Sequence, residues 1–253
     1  MTLYNRDHPT VDREEIFRDT QKAFMSNPAQ VLHYNDLPHR IGQVPEQQYN
    51  ELYNKPLVPT SIKIDVELFN HEIQRYDNWF EQWGRTFDHL PRKAVALVNQ
   101  DGQLKQHDPV NRSLYEYNLD HPDEPLADCD VIKPTEILDL PSLSPLSILD
   151  PYWCRSNVLR WEKGGKFVPH IDCVRHRIHW LRLWGTTTND IRLRFDTSGT
   201  GELIEHEDVE CGRIYLIDTA LIHDARCINN MGYQFFLAVL PQAYHLLTDL
   251  VLD

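Results

Sequence analysis

His170, Ile171 and Asp172 place an imidazole and a carboxylate two positions apart. On an extended strand the side chains alternate, so residues i and i+2 project from one face. Both donors then look into whatever that face lines. His223 follows the apolar run 214–217 and can bring a second imidazole to the same place. Two neutral imidazoles and one carboxylate on one face of an octahedron are the donor set of a non-haem iron centre, with the other positions open to substrate and O2. The tripeptide alone is weak, because chance and surface pairing produce most His-x-Asp sequences. Its meaning comes from the strand around it and the histidine that follows. Pro169, lacking an N–H, suits a strand that ends at such a site.

The elements that must carry these residues read as strands from residue 156 onward. Expected strands are 157–162, 166–172, 176–184, 191–195, 202–206, 213–218 and 234–240, separated by turn residues such as Gly164-Gly165, Ser198-Gly199 and Asn229-Asn230. Short strands at this spacing imply a mainly β, closed or double-sheet architecture of the jelly-roll class. Upstream, Asp12 and Glu15 make a capping pair for a first helix, which Pro28 ends. Residues 35–60, rich in Pro, Asn and Gln, read as a long surface connection. Asp65 caps a second helix whose Phe69, Ile73, Tyr76, Phe80 and Trp83 share one face, with Gly84 closing it. Residues 93–104 read as a strand with an Asp101-Gly102 turn. Residues 105–150 are Pro-rich and acidic, an embellishment rather than a boundary. The expected organisation is one domain over 1–253, helical and loop-rich over 1–150, with the β core over 151–245.

Composition narrows the partners. Lys plus Arg number 25 against 38 Asp plus Glu, a formal net charge of −13. An acidic surface disfavours nucleic acid and anionic lipid, although Arg175, Arg177, Arg182, Arg192 and Arg194 form a locally basic stretch. The five cysteines are scattered and never in a Cys-x-x-Cys pair, which argues against a disulfide scaffold and a zinc knuckle. The start of the chain is polar, and no apolar run approaches a membrane span. These features imply a cytoplasmic protein with no nucleic-acid or membrane partner.

The stretch Gly164-Gly165-Lys166-Phe167-Val168-Pro169-His170, then Arg177-Ile178-His179, then Gly212 to Asp218, and finally His223-Asp224, resembles the aspartyl/asparaginyl β-hydroxylase-like family of Fe(II)/2-oxoglutarate-dependent oxygenases. The resemblance covers roughly 156–240. It implies a double-stranded β-helix, cupin-like in form, with the N-terminal helices packed outside. It makes His170 and His223 iron ligands, joined here by Asp172, and makes Arg177 and His179 contacts to 2-oxoglutarate. It also implies Fe(II), 2-oxoglutarate and O2 as cofactor and cosubstrates. The implied reaction is hydroxylation of an amino-acid residue in a protein, or of a free amino acid or related small molecule. Tyr233 stands where the family usually carries a second arginine, and Arg160 and Arg226 are the nearby substitutes.

Parity keeps Arg177 and His179 together, on a face with Leu181 and Leu183, whereas Arg182 shares the other with Ile178, Trp180 and Trp184. Both faces are apolar, so the pattern does not say which is interior. Two other classes fit the same residues. One is a cupin-like metalloenzyme, a direct dioxygenase or isomerase, that uses the triad without 2-oxoglutarate. The other is a non-catalytic β-sandwich binding module with structural histidines.

Overall fold

A computed structural model describes residues 44–252, apart from 84–89, 109–110, 112–113, 115–116, 118–120, 122, 125, 168, 173–179 and 208. The helices are α1 (Glu46–Leu52), α2 (Val66–Glu72) and α3 (Tyr244–Leu250). The strands are β1 (Leu57–Lys63), β2 (Glu81–Gln82), β3 (Arg92–Asn99), β4 (Lys133–Pro134), β5 (Ser156–Trp161), β6 (Leu181–Thr186), β7 (Ile191–Phe195), β8 (Ile204–Glu205), β9 (Arg213–Ile217), β10 (His223–Cys227) and β11 (Gly232–Val239). Among the described residues, the larger sheet runs β1-β9-β6-β11-β5-β3-β2 with β4 beside β3, and the smaller runs β10-β7-β8. Every pairing is antiparallel.

A further stretch extends the small sheet beyond β10. Lys166 bridges Arg226 and His170 bridges His223. The N–H of Phe167 donates to Ala225 O at 2.8 Å, and that of Cys227 to Gly165 O at 2.8 Å. The chain therefore alternates between layers: β5 in the large sheet, 165–170 in the small, β6 back in the large, β7 and β8 in the small, then β9, β10 and β11 by turns. That alternation is a double-stranded β-helix, mainly β with few helices, as expected from the sequence.

One face of the large sheet packs against the helices. Val158, Leu181, Leu183, Ile214, Phe235 and Leu237 meet Phe69, Ile73 and Leu247 in one core cluster. Each such side chain contributes roughly 1.5–3 kcal/mol when fully buried. The alternate residues, among them Leu159, Trp161, Trp184, Tyr215 and Ile217, meet Ile191, Leu193 and Phe195 of the small sheet in a second cluster. This resolves the parity question for the described part of the expected strand 176–184. Leu181 and Leu183 face the helices, while Arg182 and Trp184 face between the sheets.

Several expectations change. The helix capped by Asp65 does form, with Asp65 Oδ1 accepting from Leu68 N at 3.0 Å, but it turns 3-10 from Ile73 to Trp79. Phe80 and Trp83 therefore flank a strand pairing with β3 instead of extending the helical stripe. Residues 35–60 do not form a surface connection where they are described. α1 buries Tyr49 and Leu52, and β1 pairs with β9, Leu57 opposite Ile217. Pro59 is tolerated because β1 is an edge strand, whose outer side needs no donor. Within 105–150 the stretch Pro141–Leu149 is a 3-10 helix that buries Leu143, Leu146 and Leu149 in the core. The expected first helix around Asp12 and Glu15, and Gly84, lie outside the described residues.

Candidate metal centre

His170, Asp172 and His223 come together at one end of the two sheets. Each offers one ligand atom, and these atoms lie within 4.8 Å of one another. His170 and His223 face each other across the bridge and exchange both backbone hydrogen bonds, each 3.0 Å long. Their ring centroids are 4.4 Å apart. Asp172 N donates to Thr219 O at 3.0 Å, which holds the carboxylate's backbone to the loop that leads into β10. His170 Nε2 lies 3.2 Å from Asp172 Oδ1. The two side chains thus lie on one side of the chain.

A register change places His170. Lys166 pairs with Arg226, yet His170 pairs with His223, four residues on one side against three on the other. One extra residue is accommodated around Pro169. Such a bulge bends a strand and re-aims its side chains, and proline is at home where the ladder is interrupted.

The third candidate ligand begins a strand that the sequence reading did not include. His223 is the first residue of β10, paired with Phe195 of β7. Its Nδ1 lies 2.9 Å from Leu221 O, which as donor and acceptor leaves Nε2 free to ligate. Its ring stacks against Phe195 at 6.1 Å. Asp218 braces the preceding loop, accepting from Tyr49 Oη at 2.9 Å and Ala220 N at 3.0 Å.

The electrostatics fit a metal-ligand set. Burial, reinforced by the charge of His170, pulls the His223 imidazole down to about 4, so it is neutral at ordinary pH, as coordination requires. Burial pushes the Asp172 carboxyl up. The hydrogen bond from His170 and the charges of His170, His223 and Arg182 outweigh it and hold Asp172 well below the usual carboxylate range. Imidazole nitrogens and a carboxylate oxygen are the donor types a divalent transition metal takes. Donors about 2.1 Å from an ion sit about 3 Å apart when adjacent in an octahedron, so small side-chain movements close this set around one.

Other residues sort themselves around this centre. Arg177 and His179 lie outside the described residues, as does His176. Arg160 is on the helix side of β5, paired with Asp77 at 3.2 Å and lying over Phe80. Arg226 pairs with Glu205 at 2.6 Å on the outer side of the small sheet. Neither helps the site. Arg192 and Arg194 are likewise engaged, by Glu205 and Asp224, so these two cations of the basic stretch have acidic partners. Tyr233 turns into the helix-side core, and Gln234 takes the face between the sheets. Arg182, which the sequence set aside, is buried on that same inward face. Alternation could not single it out, because both faces of β6 are buried.

No family model matches the chain, and no curated protein matches it. Solved structures similar to it include a Pseudomonas putida prolyl-4-hydroxylase, at 11% identity and TM-score 0.42, over 77% of this chain and 97% of that one. A prolyl hydroxylase from Trichoplax adhaerens, solved with a hypoxia inducible factor oxygen degradation domain peptide fragment, matches at 10% identity and TM-score 0.42, over 80% and 92%. An oxalate oxidase in complex with the substrate analogue glycolate matches at 15% identity and TM-score 0.27, over 34% of this chain. The chain spans 41% of the length of that oxalate oxidase. Among the described residues, no helix is long and apolar enough to cross a membrane.

Proposed function

We propose that this chain is an Fe(II)- and 2-oxoglutarate-dependent oxygenase, with His170, Asp172 and His223 as the iron ligands. The observation that carries the reading is the convergence of these three donors at the end of a double-stranded β-helix, reached from two sides of one bridge. When bound, the iron supplies the activation of O2 that couples loss of CO2 from 2-oxoglutarate to hydroxylation of the substrate. The protein's share lies in its own residues. The Leu221 carbonyl fixes the His223 tautomer, the paired backbones of His170 and His223 fix the spacing of the rings, and Phe195 and Phe167 wall the imidazoles with apolar surface. Arg177 and His179 are proposed contacts to 2-oxoglutarate through the family resemblance. The substrate is an amino-acid residue in a protein, or a free amino acid or related small molecule, and the protein acts in the cytoplasm.

Anaerobic reconstitution with Fe(II), followed by measurement of bound metal and of succinate formed from 2-oxoglutarate, tests this. One iron per chain is expected, lost on replacing any of the three ligands. Unchanged iron uptake in His170→Ala, Asp172→Ala and His223→Ala would sink the reading.

One observation favours a second reading. The inward face of β11 offers Gln234, Phe236 and Ala238 and therefore no cation for a dicarboxylate. A metalloenzyme with the same triad that does not use 2-oxoglutarate, a direct dioxygenase or isomerase, fits that absence. Iron uptake without succinate formation separates the two.

A further inference from the structure

A cleft of about 540 Å³ opens on the helix side of the large sheet, a volume that suits a small molecule. It lies at the end away from the candidate metal centre. β11 enters there at Gly232, opposite Trp161, and runs to Val239 beside Leu181, where the metal end begins. Tyr233 and Val239 are six residues apart in that strand, about 20 Å. Tyr233 also points to the helix face, so the sheet itself stands between the cleft and the space between the layers.

Arg160 and Tyr233, opposite one another on β5 and β11, form the floor. Asn70, Gln74 and Asp77 form one wall. They recur at i, i+4 and i+7 along α2 and the 3-10 turn, on a different face from the Phe69, Ile73 and Tyr76 that enter the core. Thr187 and Met231 close the other side. Two hydrogen bonds tie that rim to the floor. Thr187 N donates to Tyr233 O at 2.9 Å, and Tyr233 N to Thr187 Oγ1 at 3.0 Å.

The fold does not use up the polar groups gathered here. Tyr233 is 4% exposed, yet among the described residues its hydroxyl has no hydrogen-bond partner. Burial, with the charge of Asp77, pushes the phenol up against the opposing charge of Arg160, so it stays a donor beside both groups. Arg160 Nε and Asn70 Oδ1 are buried and likewise lack partners among the described residues. Arg160 lies over Phe80, 5.1 Å from the ring centre, and meets Asp77 through one contact, Nη1 to Oδ1 at 3.2 Å. Both charged groups therefore keep hydrogen-bonding capacity. Leaving buried donors and acceptors idle costs stability that a ligand would restore.

We propose that this cleft binds a free α-amino acid, its carboxylate on Arg160 and the Tyr233 hydroxyl and its ammonium on Asp77 and Asn70 Oδ1. The charges select the class. A plain anion on Arg160 meets repulsion from Asp77, and a plain cation on Asp77 meets Arg160. An α-amino acid sets opposite charges one carbon apart, and so satisfies a guanidinium and a carboxylate held side by side. The rest of the lining, Gln74, Thr187 and Met231 among it, carries no charge and fits an uncharged side chain. Binding here needs neither iron nor 2-oxoglutarate, so the cleft stands or falls independently of the metal centre.

Calorimetry on the full chain without added metal, with L-glutamine and L-methionine as the probes, tests this. Wild type should take up one molecule per chain. His170→Ala should bind the same, which places the ligand away from the metal centre. Arg160→Gln and Asp77→Asn should each weaken binding roughly ten- to hundredfold, and Tyr233→Phe up to about tenfold. Two derivatives of methionine separate a lost contact from lost folding. N-acetyl-L-methionine has no ammonium, so it should bind wild type weakly and lose nothing further in Asp77→Asn. L-methioninamide has no carboxylate, and Arg160→Gln should leave its weak binding unchanged. A misfolded variant would lose every ligand alike. If wild type binds neither amino acid, or if binding survives both Arg160→Gln and Asp77→Asn, the site is overturned. Equal binding of methionine and its N-acetyl derivative overturns the zwitterion and leaves a site for anions. Loss in His170→Ala with retention in Arg160→Gln moves the ligand to the metal centre and overturns the cleft as its seat.

Discussion

The two faces of the large sheet are made by alternate residues of the same strands, and they differ in kind. Toward the helices, β11 presents Tyr233, Phe235, Leu237 and Val239, and β6 presents Leu181 and Leu183. Toward the small sheet the same strands present Gln234, Phe236 and Ala238, and Arg182, Trp184 and Thr186. Apart from the half-buried Phe236, both sets are almost fully buried. Away from Tyr233, the helix side buries hydrocarbon and asks for nothing else. The inner side buries amide, guanidinium and indole groups at a cost that a stability argument alone does not justify. The helix side is apolar almost throughout, whereas the inner side combines its apolar cluster with buried polar groups and carries the candidate site at one end, so damage to the two should separate.

The sharpest separation comes from the ligands. His170→Ala or Asp172→Ala should lower Fe(II) affinity by at least about a thousandfold, about 4 kcal/mol. Both side chains are partly exposed, so the metal-free variants should lose less stability in urea unfolding than a core truncation does. A large fall in metal-free stability would show that the inner side also supports the fold. The converse substitution is Phe235→Ala on the helix side. It should cost about 3–5 kcal/mol in urea unfolding and leave metal affinity of the folded protein unchanged.

Mild acid should probe the inner side through His223. His223 is pulled from 6.5 to about 4 in the folded chain, so between those values the unfolded chain binds a proton that the folded chain does not. Stability of the metal-free protein should therefore fall as pH drops from about 6.5 to about 4, by on the order of 3 kcal/mol. The Asp172 contribution is lost only at lower pH, below the ordinary carboxylate value, because its pKa is depressed. His223→Gln should flatten the upper window, and a slope that survives the substitution would place the titration elsewhere. The smallest effect is expected at a helix end remote from both faces. Asp65→Ala removes the cap on Leu68 N and should cost about 1 kcal/mol, with no change in metal binding.

The sequence made some of this legible and hid the rest for identifiable reasons. His170 and Asp172 were readable because alternation on a strand is local. The strands 191–195 and 213–217 were readable because apolar residues recur with short turns between them. β10 was missed because His223-Asp224-Ala225-Arg226-Cys227 carries charge on its outer side, where Asp224 meets Arg194 and Arg226 meets Glu205. Its inner side shows little hydrophobicity to betray a strand. The inward face of β6 was unreadable because both sides are buried, and only the partner layer tells Arg182 from Leu183. The helix around Phe80 and Trp83 failed where the helical ring of aromatics gave way to strand pairing with β3, a choice made by a segment more distant in sequence.

The bond between Tyr49 and Asp218 joins residues 169 positions apart, and β1 closes on β9 over a similar span. The loop leading to His223 is thus braced by a segment translated long before it. Such contacts make loop closure the slow step of folding, since the entropy is lost before the pairing repays it. During synthesis β1 waits as an unpaired edge until most of the chain has emerged. Refolding should accordingly yield the metal-binding state late, with secondary structure appearing before metal uptake.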